Sequence, residues 1–188
     1  MEKYDLCVIG GGPAGYAAAM RAIDFGKTVL LIEKDKLGGY GIYDGALASK
    51  TMWELSNKIK TVKDEIGTDS RIDMPFSKVK EIINEALFER KFQFSCHLRI
   101  IHAETGSIHY EKGAASFISK NEILIQKPDG ESITAYAENT IIATGSRPRK
   151  LDHIKVDEKV ILTSDGILHL DAFPKSMVIL GAGVIGCE

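Results

Sequence analysis

The chain has 188 residues, of which 44% are hydrophobic and 27% charged, and its net charge is −2. This length accommodates one globular domain and the beginning of a second. The charge balance leaves no basic surface of the kind that binds nucleic acid. No apolar run approaches the roughly 18 residues that span a membrane, and no secretory signal precedes the first predicted strand. The three cysteines are widely spaced, so we expect a cytoplasmic protein in a reducing compartment, with neither nucleic-acid nor membrane partners.

The N-terminal segment predicts a β-α-β unit. Residues 4–9 form a short apolar run of strand length, and residues 28–32 form a β-branched run suited to a buried parallel strand. The alanine-rich residues 16–25 between them favour a helix that ends at Gly26. The whole unit has about 30 residues, the size of one parallel crossover with its helix.

The turn between the first strand and the helix has the spacing G-x-G-x-x-G. In such a turn Gly10 allows the tight reversal, Gly12 lets the backbone approach a pyrophosphate, and Gly15 permits close packing of helix on strand. Pro13 and Ala14 lie between these glycines and are predicted to contact the cofactor, and the helix that follows presents N–H groups to the phosphates. These residues therefore predict a dinucleotide-binding site.

A carboxylate completes this first fingerprint. Glu33 ends the next predicted strand, at about the 20-residue distance expected of a side chain that binds ribose hydroxyls. A carboxylate at this position disfavours a 2′-phosphate on the same nucleotide. We predict that Glu33 and the adjacent Lys34 contact the cofactor.

The middle of the chain changes character. A glycine-rich loop over residues 37–45 precedes two predicted helices, residues 47–66 and 78–94, with a turn at 69–77. Four short predicted strands follow, and we expect them to form a small antiparallel meander inserted into the α/β domain: residues 107–111, 114–118, 122–126 and 132–137. Residues 140–143 predict a return to a buried strand, and residues 146–158 a linker.

A second fingerprint closes the chain. Residues 177–180 predict a strand, and Gly181, Gly183 and Gly186 then repeat the G-x-G-x-x-G spacing. The helix and the nucleotide-selecting residue that would follow lie beyond residue 188, so we expect this chain to be a fragment of a longer protein. Two such motifs imply two dinucleotides and electron transfer between them.

These motifs occur in the order found in the pyridine nucleotide–disulfide oxidoreductases, and the chain resembles that family over its whole length. The residues that carry the resemblance are Gly10 to Gly15, Glu33, Gly38-Gly39, Ser49-Lys50, Ala143-Thr144-Gly145 and Gly181 to Gly186. The resemblance implies FAD on the first fingerprint, NAD or NADP on the second, and a homodimer when the protein is full length. The implied fold class is α/β, a three-layer Rossmann-like FAD-binding domain (residues 1–150). Residues 151–188 then hold a linker and the first strand of a second nucleotide-binding domain.

The resemblance also implies roles for single residues. Lys50 is similar to the family's lysine beside the flavin, and Glu188 to its buried carboxylate partner, which would keep that lysine charged. Without the family pattern these residues predict only a surface lysine and a charge on a helix face. Ala115 resembles a position whose backbone contacts adenine. The implied cofactor-binding set further includes Gly38, Gly39, Ala143, Thr144 and Gly145.

One departure from the family is informative. Gly41 and Ala46 stand where the family has its two redox cysteines, and Ala48 replaces a proline. Thiol–disulfide exchange requires a thiolate, which neither glycine nor alanine supplies. Cys7, Cys96 and Cys187 lie elsewhere and are interpreted as small packing residues. The five histidines show no metal-ligand spacing, so no metal site is predicted.

The chemistry left open is hydride transfer through flavin without a disulfide. The chain is most similar in this respect to the soluble pyridine nucleotide transhydrogenases. Two alternatives stay open: an NAD(P)H:quinone or oxygen reductase, and a non-catalytic flavoprotein related to dihydrolipoamide dehydrogenase that has lost disulfide chemistry. A fragment of this length would itself bind FAD weakly and be inactive.

Overall fold

The computed structural model describes residues 2–43, 45–67 and 74–187. The strands are β1 (Glu2–Ile9), β2 (Val29–Glu33), β3 (Ile108–Lys112), β4 (Ala114–Phe117), β5 (Glu122–Gln126) and β6 (Ser132–Ile142). The helices are α1 (Pro13–Asp24), α2 (Gly39–Tyr43), α3 (Ala46–Ile66), α4 (Phe76–Thr105) and α5 (Val184–Cys187), with a 3-10 helix at Gly166–His169. No helix in these ranges is both long and apolar enough to cross a membrane.

The chain divides into two compact units. The first comprises Met1–Gly41 and Arg90–Ser146, and the second comprises Ile42–Glu89 and Arg147–Glu188. These units differ from the predicted domains, because the second unit includes residues 42–89 of the N-terminal half. The predicted domain boundary at residue 150 therefore stays a prediction.

All six strands lie in the first unit and form one sheet in the order β3-β2-β1-β6-β5-β4. β1 pairs in parallel with β2 and β6, and β2 pairs in parallel with β3. β5 pairs in antiparallel with both β4 and β6. Strand β2, which lies between β3 and β1, is buried along its whole length, as its Val-Leu-Leu-Ile-Glu sequence predicts for a strand covered on both faces.

The two faces of β2 belong to two different cores. Leu31 packs on one face with Ala19 of α1 and Leu98 of α4. Ile32 packs on the other face with side chains of β5 and β6, including Ile123. Successive side chains of a strand point to opposite faces, so the parallel strands of the sheet lie between a layer of helices and a layer formed by its antiparallel strands. The predicted three-layer α/β fold is confirmed.

The predicted meander is correct for its last three strands and wrong for its first. β3 is a parallel neighbour of β2 and extends the main sheet. Gly113 alone separates β3 from β4, although these strands lie at opposite ends of the sheet order, so the sheet folds back over itself there. A Cβ at Gly113 would lie 2.7 Å from the carbonyl oxygen of Gln126, which explains why a glycine occupies the position between β3 and β4.

The predicted break between residues 132–137 and 140–143 is absent. β6 is one strand of 11 residues that pairs with β5 near its start and with β1 along most of its length. Glu138 and Asn139 interrupt the apolar pattern because their side chains are exposed, while the ladder to β1 continues through them (Asn139 pairs with Leu6). Polarity on an exposed position does not end a strand.

Three further predictions need correction. The glycine-rich loop contains the short helix α2, and α4 runs 30 residues, well past the predicted end at residue 94. Residues 177–180 pair with no strand among the described residues, because a strand needs ladder partners and none lies beside them. The predicted helix 47–66 is confirmed as α3. Most of the predicted turn at 69–77 lies outside the described residues.

Candidate dinucleotide-binding site

The turn between β1 and α1 leaves no room for side chains at two of its glycines. Gly10 has φ +110°, and a Cβ there would lie 2.2 Å from the carbonyl oxygen of Ala143. A Cβ at Gly15 would lie 1.8 Å from the carbonyl oxygen of Gly10. Glycine at both positions is therefore a geometric requirement of the turn, which brings α1 directly onto the sheet.

Gly12 has the opposite environment. A Cβ at this position would meet nothing within 4 Å, and the backbone is extended at φ −73° and ψ −176°. Pro13 begins α1, and the amide of Tyr16 donates the first bond of the helix to the carbonyl of Gly12 (2.9 Å). The amides of Ala14 and Gly15 precede that bond, so they belong to the unpaired N–H groups of a helix start. An open backbone position beside such amides fits a pyrophosphate.

Glu33 is held in place from two sides. It is the one buried charged residue that the structure describes, with 9% of its surface exposed. Its Oε2 accepts a hydrogen bond from the amide of Gly11 (2.7 Å), and its Oε1 accepts one from the amide of Asp35 (2.8 Å). Each carboxylate oxygen keeps further lone pairs that could accept from a ribose hydroxyl. The predicted ribose ligand therefore has a fixed orientation next to the fingerprint turn.

The chain after β6 lies against the same turn. The amide of Ala143 donates to the carbonyl of Ile9 (2.8 Å), which continues the ladder and places the carbonyl of Ala143 beside Gly10. Thr144 and Gly145 follow as exposed residues, and Gly145 has φ +76°. The carboxyl ends of β1, β2 and β6 thus meet at one edge, where ligands of open α/β sheets bind.

The remaining predicted residues of the first unit divide into two groups. Gly38 and Gly39 contact the fingerprint turn: the amide of Gly38 donates to the carbonyl of Gly11 (2.8 Å). Lys34 is exposed just after β2, and Ala115 is half-buried on β4, where it packs against the meander core. The structure shows no contact of Lys34 or Ala115 with the turn itself, so their cofactor roles stay predictions.

The two predicted catalytic residues lie elsewhere. Lys50 is exposed on α3, in the second unit. Glu188 lies outside the described residues. Their pairing beside a flavin stays a prediction of the family resemblance.

The second fingerprint repeats the shape of the first. Gly181 has φ +111°, and a Cβ at Gly186 would lie 2.4 Å from the carbonyl oxygen of Gly181. A Cβ at Gly183 would meet nothing within 4 Å, as at Gly12. The four-residue helix α5 follows. The second glycine turn therefore has the same backbone shape as the first, with free space at Gly183, where a second dinucleotide is predicted to bind.

Sequence reasoning missed the contribution of three residues. Gly11 and Asp35 fix the carboxylate of Glu33 through their amides, a role that no side-chain pattern reveals. Gly41 stands at a cysteine position of the family pattern, and a Cβ there would lie 2.4 Å from Cγ of Pro13. The glycines at residues 10–12 and 38–41 are the sequence signal for this contact, since two backbones that touch require small residues.

Two titratable groups close to the turn, Cys7 and Tyr16, have raised pKa values. Burial raises the pKa of the Cys7 thiol to about 12, so this residue of β1 is a protonated packing group at neutral pH. Burial also raises the pKa of the Tyr16 hydroxyl, which is hydrogen-bonded to His97 of α4. Over residues 2–43, 45–67 and 74–187, no group of three His, Cys, Asp or Glu side chains is arranged to hold a metal ion.

Comparison with known proteins identifies the family. Residues 4–188 match the family model described as pyridine nucleotide-disulphide oxidoreductase. The chain belongs to this family. Its members are FAD-dependent oxidoreductases that also use a nicotinamide nucleotide. The two predicted cofactor classes are therefore those of the family, and the open turn at Gly12 with the fixed carboxylate of Glu33 fits the adenine dinucleotide part of FAD.

Curated relatives and solved structures agree with this assignment. A dihydrolipoyl dehydrogenase of Bacillus subtilis is 37% identical over 97% of this chain and 40% of its own length. The mitochondrial dihydrolipoyl dehydrogenase of Schizosaccharomyces pombe is 34% identical over 99% of this chain and 37% of its own length. A mutant of the HOCl-induced flavoprotein disulfide reductase RclA from Escherichia coli, solved as a Cu(II) complex, is 25% identical with a TM-score of 0.79, over 99% of this chain and 38% of that one. The chain thus spans well under half of these relatives.

Proposed function

We propose that this chain is the FAD-binding part of an NAD(P)H oxidoreductase that moves hydride through flavin without a redox disulfide. The first fingerprint would hold FAD, and the second would hold NAD or NADP. Among the known activities of the family, that of a soluble pyridine nucleotide transhydrogenase fits best. The proposal also includes a cytoplasmic homodimer.

One observation carries the proposal: the dinucleotide turn is complete while the thiols are missing. The close packing at Gly10 and Gly15 and the hydrogen bond from Gly11 to Glu33 support a dinucleotide at this turn. Gly41 and Ala46 occupy the two cysteine positions of the family. The carboxylate of Glu33 is oriented by the amides of Gly11 and Asp35 and keeps lone pairs for a ribose hydroxyl, which supports a dinucleotide site in a chain without the thiols.

When bound, the flavin would supply a centre that accepts and returns a hydride. The chain's own residues would orient it. The open backbone at Gly12 and the helix start after Pro13 would bind the pyrophosphate, and Glu33 would accept hydrogen bonds from ribose. Lys50, with Glu188 as its carboxylate partner, is proposed to lie at the flavin ring and to stabilise negative charge there.

None of the three cysteines offers a substitute for the missing pair. Cys7 is fully buried in β1 with its pKa raised to about 12, and Cys96 lies half-buried on α4. Cys187 is exposed within α5. The sequence positions of these residues, each alone in its element, provide no dithiol that could exchange with a disulfide substrate.

The test is an anaerobic reduction of the full-length protein. The flavin absorbance should bleach on addition of NADPH or NADH and recover on addition of the other oxidised nicotinamide, with no turnover of lipoamide. Turnover of lipoamide would contradict the proposal. Bleaching that recovers only with quinone or oxygen would instead indicate a quinone or oxygen reductase, and FAD binding without bleaching would indicate a non-catalytic flavoprotein.

A further inference from the structure

Tyr16 connects the start of α1 to α4. Its backbone amide donates the first hydrogen bond of α1 to the carbonyl of Gly12 (2.9 Å). Its ring packs against the ring of Phe94, with the two ring centroids 4.0 Å apart. Its hydroxyl is hydrogen-bonded to Nδ1 of His97. The backbone of Tyr16 is therefore part of the helix start beside the glycine turn, while its side chain is held by α4.

Phe94 and His97 lie on the side of α4 that faces α1. They are three residues apart, which makes them neighbours on the surface of a helix. Leu98, the next residue after His97, is buried in the same core cluster as Ala19 of α1, and Tyr16 packs against that cluster. The contact between Tyr16 and α4 is thus continuous with the helical core, and the hydrogen bond to the exposed His97 lies at the margin of that core.

The hydrogen bond between Tyr16 and His97 has a defined direction. Burial raises the pKa of the Tyr16 hydroxyl, so the phenol is protonated at neutral pH. A protonated phenol donates to an imidazole nitrogen that carries no proton. The bond therefore uses the tautomer of His97 whose proton is on Nε2, with Nδ1 as the acceptor.

We propose that His97 is a positioning residue of the dinucleotide site, which holds Tyr16 and through it the first turn of α1. The amides of Ala14 and Gly15 in that turn belong to the unpaired N–H groups proposed to bind the pyrophosphate. This inference rests on the proposed function, because it concerns the same site. It adds a residue outside the glycine fingerprint, since His97 lies 81 positions after Tyr16 in the chain.

The contact can be tested in the full-length protein with His97→Ala, Tyr16→Phe and both substitutions together. Each single substitution removes one partner of the hydrogen bond and should weaken FAD binding about fivefold. The double variant should bind FAD about as well as either single variant, because both substitutions remove the same bond. His97→Asn keeps an acceptor oxygen close to the position of Nδ1 and should restore most of the affinity. Gln93→Ala, which removes another exposed polar side chain of α4, is the matched control and should retain the unmodified affinity.

Two readouts separate this inference from the proposed function. FAD affinity is measured by quenching of flavin fluorescence, and hydrogen–deuterium exchange of the α1 amides is measured without FAD. If the unmodified protein binds no FAD, the proposed function fails. Faster exchange at the start of α1 in His97→Ala, restored in His97→Asn, would still show that His97 holds this turn.

In a protein that binds FAD, an unchanged affinity of His97→Ala would overturn the inference. Additive losses in the double variant would also overturn it, because the two side chains would then act independently. A loss that His97→Asn does not restore would do the same, since it would not depend on an acceptor at this position.

Discussion

The turn after β1 and the turn after residues 177–180 have the same internal geometry and different surroundings. The first glycine has φ +110° in one and +111° in the other, and in both the last glycine lies against the carbonyl oxygen of the first. The strand before the first turn is deeply buried, with Cys7 and Val8 at 0% exposure. The residues before the second turn are open to solvent, with Val178 at 86% and Leu180 at 78% exposure.

This difference separates what glycine spacing achieves from what a sheet adds. The spacing alone produces the turn, because glycine accepts the positive φ that the reversal needs. The neighbours of β1 add the rest: β2 supplies Glu33, and the end of β6 supplies the carbonyl of Ala143. Among the described residues, only the first turn has the carboxyl ends of parallel strands beside it, the place where ligands of open α/β sheets bind.

The largest expected effect comes from filling the last glycine of each turn. Gly15→Ala should abolish measurable FAD binding and lower the free energy of unfolding by about 3 kcal/mol, because the new Cβ strikes the backbone inside a packed core. Gly186→Ala in the 188-residue chain should change the free energy of unfolding by less than about 0.5 kcal/mol, since no core surrounds it. Urea unfolding measures the two changes in the free energy of unfolding.

Gly12→Ala is the matched control for Gly15→Ala. Its Cβ meets nothing within 4 Å, so stability should be retained while FAD binding is lost, because the methyl group occupies the approach of the pyrophosphate. Equal destabilisation by all three substitutions would show that the two turns do not differ in packing.

The sequence was sufficient for whatever depends on local periodicity and spacing. It predicts the β-α-β unit, α3, and the roles of Gly10 and Gly15, because those properties follow from residues close together in the chain. It could not predict that residues 108–112 join β2 and not the meander, because strand pairing is decided by distant partners. The prediction of a strand at residues 177–180 was wrong for the same reason, since those residues have no strand partner among the described residues.

The site shows the same division. Glu33 was predicted from its spacing to the fingerprint, but its two backbone donors were not, because amides leave no mark in a sequence. The contact between Gly41 and Pro13 joins residues 28 positions apart and depends on how residues 37–41 return to the turn.

The cysteines offer a chemical probe of the same comparison. Cys7 precedes the first turn, is fully buried and has its pKa raised to about 12, while Cys187 follows the second turn and is exposed. Relative to an ordinary thiol with a pKa of about 8.5, Cys7 should react with iodoacetamide about 1000-fold more slowly at pH 8, because only the thiolate reacts. Mass spectrometry of the 188-residue chain over time measures both rates.

A Cys187→Ser variant provides the control, since any remaining fast labelling then belongs to Cys96 or Cys7. Labelling of Cys7 at the rate of Cys187 would mean that β1 opens readily. In that event the packing around the first turn would protect Cys7 from alkylation no better than the surroundings of the second turn protect Cys187.

Removing the carboxylate of Glu33 should have an intermediate effect. Glu33→Ala leaves the amides of Gly11 and Asp35 without their acceptor, which costs about 2 kcal/mol of unfolding free energy. FAD affinity should fall about tenfold to a hundredfold, because the charge-assisted hydrogen bond proposed between Glu33 and ribose would be lost as well. Flavin fluorescence titration and urea unfolding measure the two effects.

Glu33→Gln keeps one acceptor oxygen and should recover part of both losses. Glu138→Ala removes an exposed carboxylate on β6 and should leave FAD affinity unchanged. An unchanged affinity in Glu33→Ala would remove the main feature that distinguishes the first turn from the second.

The smallest expected effect concerns Asp5, in the middle of β1. Asp5 accepts hydrogen bonds from the amide of Thr28 (2.7 Å) and its hydroxyl (2.8 Å), and these bonds, together with Lys27, lower the pKa of the Asp5 carboxyl below 3.8. A lowered pKa means that the folded state favours the carboxylate. The contribution of Asp5 to stability is therefore fully present above pH 3.8 and is lost as the pH falls through the folded-state pKa.

Asp5→Asn should accordingly lower the urea midpoint slightly at neutral pH, and the difference from the unmodified chain should shrink below pH 3.8. The effect is small because solvent screens an exposed carboxylate.

In the second unit, the pKa of Asp157 is lowered by three backbone amides of its own turn, those of Lys159, Val160 and Ile161. Asp157→Asn should leave the slow labelling of Cys7 unchanged, whereas Asp5→Asn should accelerate it, because only Asp5 lies on β1. Equal acceleration by both would show that the two units open together.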